Sequence, residues 1–118
     1  MFLANLNVAD DTKIKKIKCI KVLKGSNNIK IGNIIVGVVK KSKNNKYAND
    51  HDIVKAMVIR SRSNFLKKNG IHISFGNNDC IILDKKLNPL GRKINGPICI
   101  EIRDMHFYRL NSLCKLII

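Results

Sequence analysis

Several things are scarce in this chain, and each scarcity closes off a class of function. There is no tryptophan, and the aromatics amount to Phe2, Tyr47, Phe65, Phe75, Phe107 and Tyr108. A sheet that reads single-stranded RNA needs paired exposed aromatics on which bases stack, and no such pairing is visible. No apolar stretch approaches the roughly 20 residues of a membrane span; the longest, Ile34-Ile35-Val36-Gly37-Val38-Val39, has strand length. Cys19, Cys80, Cys99 and Cys114 lie far apart with no C-x-x-C pair, which argues against a zinc site and a redox motif. Three of them sit in apolar runs and read as reduced packing thiols. Acids number 8, of which Glu101 is the one glutamate, and there is no glycine-rich phosphate loop. Asp50-His51-Asp52 is the nearest approach to a catalytic group. Adjacent residues of an extended chain point opposite ways, and His72 and His106 stand alone. We therefore expect no enzyme, no cofactor, no metal and no small-molecule substrate.

Against eight acids stand 23 lysines and arginines, a formal charge of +15 on 118 residues. A folded domain this basic repels itself unless a polyanion neutralises it, and nucleic acid is the commonest such partner. Lys, Ile and Asn all have A/T-rich codons, so a biased genome accounts for lysine over arginine. It does not account for the scarcity of glutamate, whose codons are equally A-rich. A polyanion partner does. The start Met1-Phe2-Leu3-Ala4 resembles neither a secretory signal nor a transit peptide, so an organellar protein of this kind is expected to be encoded in the organelle.

The length suits one domain. Strand candidates are Lys18 to Leu23, Ile34 to Lys40, Ile53 to Arg60, Ile71 to Phe75 and Cys80 to Leu83, separated by Gly, Asn, Pro and Ser clusters that make turns. Asn69-Gly70 suits a tight hairpin turn. Ile71, Ile73 and Phe75 alternate with His72 and Ser74, which predicts one buried and one wet face. Gly37, inside an otherwise apolar run, suggests a bend or bulge. Short, closely spaced strands without a long helical pattern predict a small closed barrel, which leaves no sticky edge. Ile98 to Arg103 fits a strand by alternation and a short helix by its Gly96-Pro97 start, and periodicity leaves both open.

The expected polyanion contacts are basic residues in turns and at strand ends. Lys13, Lys15, Lys16 and Lys18 lead into the first of these strands, and Lys40, Lys41, Lys43 and Lys46 mark a later turn. Arg60 and Arg62 end the central strand, Lys67 and Lys68 precede Asn69-Gly70, and Arg92 and Lys93 follow Gly91; Arg103 lies further on. Lysines neutralise closely spaced phosphates with little demand on geometry, whereas arginines grip phosphate bidentately or stack on a base.

Asn7-Val8-Ala9-Asp10-Asp11-Thr12 and Cys19-Ile20-Lys21-Val22-Leu23 resemble the opening elements of the universal large-subunit ribosomal protein of the L-fourteen family. So do Ala56-Met57-Val58-Ile59, Asn69-Gly70, Phe75, Asn78 and Ile81-Ile82 in order, then Gly91-Arg92-Lys93-Ile94-Asn95-Gly96-Pro97, Glu101-Ile102-Arg103-Asp104 and Ser112-Leu113. The resemblance runs from Asn7 almost to the end. Lys13 stands where the family has glycine, which leaves that turn's geometry open, and Ile100 stands where the family often has arginine.

The resemblance implies a mainly β fold: a five-stranded barrel over about 1–90, then a loop and short helices over about 91–118, which favours helix for the segment from Ile98. It implies a structural constituent of the large ribosomal subunit that binds large-subunit rRNA and neighbouring ribosomal proteins and meets small-subunit rRNA at an intersubunit bridge. It also implies that Arg92, Lys93 and Arg109 help dock a ribosome silencing factor. The Lys/Ile/Asn bias suggests a mitochondrial ribosome, with plastid stroma or bacterial cytoplasm as alternatives. A free-standing basic barrel that binds nucleic acid, such as a nucleoid protein or RNA chaperone, shares the charge and fold class and is the competing reading.

Overall fold

The computed structural model describes residues 5–24, 31–42, 51–62, 65–66, 70–91 and 93–98. Seven strands occur in this part: β1 (Asn5–Val8), β2 (Ile14–Lys24), β3 (Ile34–Ser42), β4 (Ile53–Arg60), β5 (Phe65–Leu66), β6 (His72–Ile73) and β7 (Asp79–Leu83). Five of them close a barrel in the order β1-β2-β3-β4-β7. Every pairing in it is antiparallel except the closing one, where β1 runs parallel to β7 with Asn7 opposite Asp79 and Val8 opposite Cys80. The backbone bonds Asn7 N–H to Asn78 O (3.0 Å) and Ala9 N–H to Cys80 O (2.9 Å) seal that seam.

The strands of the barrel wall divide their side chains between two cores. Leu6, Ile14, Ile17, Cys19, Ile35, Val39, Ala56, Val58, Cys80 and Ile82 come from all five barrel strands and fill the interior. The alternate residues Met57 and Ile59 of β4, and Ile81 and Leu83 of β7, form a second cluster with Ala9, Ile31, Ile34, Ile94 and Ile98. That second core lies on the outer face of β4 and β7, under the segment that carries Ile94 and Ile98. It explains the apolar runs Ala56-Met57-Val58-Ile59 of β4 and Cys80-Ile81-Ile82-Leu83 of β7: these stretches are covered on both sides. Burial on both faces also makes β4 and β7 the strands that sequence locates best, since no alternation is demanded of them.

At Gly37 β2 and β3 approach closely. A Cβ there would come within 3.0 Å of Ile17 Cδ1 and 3.1 Å of the Lys18 carbonyl oxygen. On the facing strand the register shifts, with Cys19 opposite Gly37 but Lys21 opposite Val36, so Ile20 is the extra residue of a bulge. The irregularity suggested by Gly37 is thus present, and β2 carries the extra residue.

One expectation is revised. The segment Ile71 to Phe75 is not a barrel strand: only His72–Ile73 is extended, paired with Phe65–Leu66 in a separate two-stranded sheet. Ile71 is 59% exposed, so the alternation there has no buried face to serve at its first position. Leu66 stands opposite His72 and Gly70 has φ 86°, while Asn69 of the expected Asn69-Gly70 turn lies outside the described residues. The fifth barrel strand is instead β1, four residues of which Leu6 alone is fully buried. The expected C-terminal helices, and residues 99–103 of the ambiguous segment, lie outside the described residues.

Candidate nucleic-acid interface

The basic end of the barrel is built by two bulges facing each other. Along β2 and β3 the pairs are Ile14 with Ser42, Lys16 with Lys41 and Ile17 with Val39. One extra residue, Lys15, therefore sits on β2, and one step later another, Lys40, sits on β3. A regular strand sends consecutive side chains to opposite faces; an inserted residue breaks that alternation. As a result Lys15 and Lys16 are both exposed between buried Ile14 and Ile17, and Lys40 and Lys41 are both exposed beyond buried Val39. Four lysines thereby share one end of the sheet without placing a charge in the core.

Neighbours extend this surface. Asn7 pairs with Lys16 across β1 and β2, and Asn7, Lys15, Lys16 and Lys41 line a recess of about 450 Å³. Asn78 links β1 to the end of β4: its carbonyl accepts from Asn7 N–H, and its side-chain Oδ1 accepts from the Arg62 N–H at 2.9 Å. Arg62 is exposed. Lys13 is exposed in the turn before β2, and Lys93 is exposed in the loop that crosses it, its N–H 3.4 Å from Asp11 Oδ1. Lys18 is half-buried opposite Asn5 and Val38.

Lys13 adopts φ 66°, the left-handed conformation natural to glycine. The turn therefore keeps a backbone that favours glycine while presenting a lysine. Its geometry is held from inside. The buried Asp10 carboxylate accepts from Thr12 Oγ1 (2.6 Å), Thr12 N–H (3.2 Å) and, across the barrel seam, Ile82 N–H (3.0 Å). Burial pushes the Asp10 carboxyl above its usual range; the bonds from Thr12 and Ile82 work against that rise. Gly91 passes over the same turn, where a Cβ would lie 2.8 Å from Asp11 Oδ1 and 2.9 Å from Asp10 Cβ. The backbone bond from Asn95 N–H to Ala9 O (2.8 Å) and the bridge between Asp10 and Ile94 fix the loop beyond.

Arg60 has a different place from the other predicted contacts. It is 8% exposed, and its Nε meets Asp79 Oδ2 at 2.6 Å while Nη1 donates to the Asn95 and Pro97 carbonyls at 2.6 and 3.2 Å. A Cβ on Gly96, whose φ is 86°, would overlap this guanidinium. Arg60 is an internal tie between β4, β7 and the 95–97 segment. The same residue type at a strand end looks alike in sequence whether it faces phosphate or carboxylate; only the position of Asp79 decides. Conversely, Asn7 and Asn78 carry no charge to attract notice, although both fall within the motif-like stretches of the chain.

Lys43, Lys46, Lys67, Lys68, Arg92, Arg103 and Arg109 lie outside the described residues. His51 has φ 70° and its N–H donates to Val39 O at 2.8 Å, which makes it a turn residue at the start of β4. Cys19 and Cys80 are free and buried, and burial pushes both thiols above the ordinary cysteine value, Cys80 strongly. They are core side chains with little thiolate character.

The family model described as ribosomal protein L14p/L23e matches residues 2–118 of the chain.

Proposed function

The chain belongs to the ribosomal protein L14p/L23e family, and from that premise we propose where and how it acts. Membership makes it a structural, non-enzymatic constituent of a ribosome, with rRNA and other ribosomal proteins as partners. The finer reading is that it braces large-subunit rRNA with the lysine end of its barrel and meets small-subunit rRNA at an intersubunit bridge. The observation that carries it is the pair of neighbouring bulges that leaves Lys15, Lys16, Lys40 and Lys41 all exposed at one end of the β2–β3 pair, three of them (Lys15, Lys16 and Lys41) around one recess. Lys13, Lys18, Arg62 and Lys93, and Lys43, Lys67, Lys68, Arg92 and Arg103 from the rest of the chain, are proposed to add to it. Arg60 enters this reading as the residue that anchors the 95–97 segment rather than as a phosphate ligand.

The Lys/Ile/Asn bias supports a mitochondrial ribosome as its setting. A silencing factor docking at Arg92, Lys93 and Arg109 is a further proposal; charge reversal at Lys93 and Arg109 should abolish its binding, and unchanged binding excludes the site. The central reading is tested by sedimentation. The protein should remain with the large subunit through moderate salt. A free binder making some 6–10 phosphate contacts loses roughly 10³–10⁵ in affinity between about 50 and 200 mM salt and would leave the particle.

A further inference from the structure

The outer face of β3 and β4 stays apolar beyond the point where the second core covers it. On β3, Ile35 and Val39 fill the barrel interior and Gly37 faces Ile17, so Ile34, Val36 and Val38 stand outside. On β4, Val54, Ala56 and Val58 pack inward, which sets Ile53, Lys55 and Met57 outside. The outer pairs are therefore Ile34 with Met57, Val36 with Lys55 and Val38 with Ile53. The first pair is buried in the second core. Val36 and Val38 are half-buried, and Ile53 is 70% exposed. Strand β2 continues both rows, with Lys21 opposite Val36 and Lys18 opposite Val38. Its bulge residue Ile20, beside Lys21, is 42% exposed. Singly exposed aliphatics are ordinary, but these four adjoin one another inside a rim of three lysines. An apolar centre with a charged rim is the anatomy of a protein-binding surface.

We infer that this face docks a segment of a second protein, one that presents aliphatic side chains between carboxylates. The rim sets the sign. Lys21 and Lys55 flank Val36 from its two sides, and the ion pair among the described residues, Arg60 with Asp79, engages neither. A carboxylate on each side of an incoming apolar residue meets an ammonium group there. The lysine stems add apolar surface while their charged heads stay in water. A second copy of this chain fits poorly, because it brings the same lysines and a further charge of +15. RNA would satisfy the lysines but not Ile20 and Ile53, since unpaired bases stack on aromatic rings and this face is aliphatic. Apart from Lys18 at their boundary, the docking face shares no residue with the lysine end proposed to meet rRNA, so either can fail without the other.

The test places a photoreactive side chain at position 20 or 53 of the full-length chain. Large subunits that incorporate it are purified and irradiated, and the linked peptides are identified by mass spectrometry. Both positions should link to one segment of one other protein, with acidic residues bordering its aliphatic ones. Ile53→Asp sets a carboxylate against that segment's apolar side chain, and K21E/K55E sets two against its acids. Each should lower the yield of the link from position 20 by at least about tenfold, whereas K21R/K55R should leave it unchanged. The amount of each variant chain per subunit should match wild type, which shows that it folds and assembles. Links to rRNA, to a second copy or to another part of the same chain overturn the docking face, as does the absence of any link. A linked segment without acids, or a yield that K21E/K55E does not lower, overturns it equally.

Discussion

At the scale of single residues, the turn from Asp10 to Lys13 shows how a polar interior can hold a polar exterior. Lys13 spends its life at positive φ, which costs an L-residue about 1–2 kcal/mol relative to glycine. Glycine carries its own entropic cost of about 0.5–1 kcal/mol, so Lys13→Gly should be neutral to slightly stabilising. Lys13→Val, β-branched and intolerant of this region, should lose more than 1 kcal/mol, roughly. Urea unfolding of both variants checks the order; a valine variant as stable as the glycine one would contradict the assigned turn.

Asp10 gives a pH signature. Its folded-state carboxyl is raised above the ordinary 3.8 by burial, so the folded chain holds its proton more tightly than the unfolded one. The stability this confers is fully present below the unfolded value and is lost as pH rises through the folded one. Asp10→Asn cannot titrate, and it sets an amide N–H or a poor acceptor against Ile82 N–H. We expect the variant to be less stable by about 1–3 kcal/mol. The wild-type advantage should widen as pH falls from the raised folded value towards 3.8. A constant gap across that window, measured by denaturant unfolding at stepped pH, would mean that Asp10 is not buried as described.

At the scale of elements, the tie from β4 to the 95–97 segment is the part least visible beforehand. Arg60→Met should cost about 3–5 kcal/mol, because it leaves the buried Asp79 carboxylate without its partner. That is a large part of the roughly 5–15 kcal/mol available to a small domain. Pairing it with Asp79→Leu should recover much of the loss in a double-mutant cycle. Full stability in Arg60→Met, combined with weakened RNA binding, would return Arg60 to the phosphate contacts.

The elements also show what sequence could and could not reveal. Where β4 and β7 are buried on both faces, at 56–59 and 80–83, they announce themselves as apolar runs, and β4 appears with the bounds expected for it. The alternating run at 71–75 misled, because alternation records a two-faced strand without saying which sheet supplies the buried side. β1 was legible only as a motif: Asn5, Leu6, Asn7 and Val8 have no strand-like composition. They are extended because β2 and β7 offer them both partners. The clusters of lysine are visible in the sequence, but the exposure of Lys15 beside Lys16 and of Lys40 beside Lys41 depends on bulges, and a bulge is a register event between two strands that neither strand encodes alone.

At the scale of the whole molecule, a closed barrel with a second core outside its wall leaves one end free of apolar duty, and the lysines collect there. The net charge of +15 repels itself, and the anionic RNA around a ribosomal protein relieves that repulsion. The most direct measurement is site-specific cross-linking in the assembled particle, with a photoreactive side chain placed at position 15, 16 or 41. The account predicts covalent links to large-subunit rRNA from all three positions, strongest when the subunit is intact, and few from position 85 on the 84–90 turn. Links to protein alone, or none to large-subunit rRNA from any of the three, would contradict it.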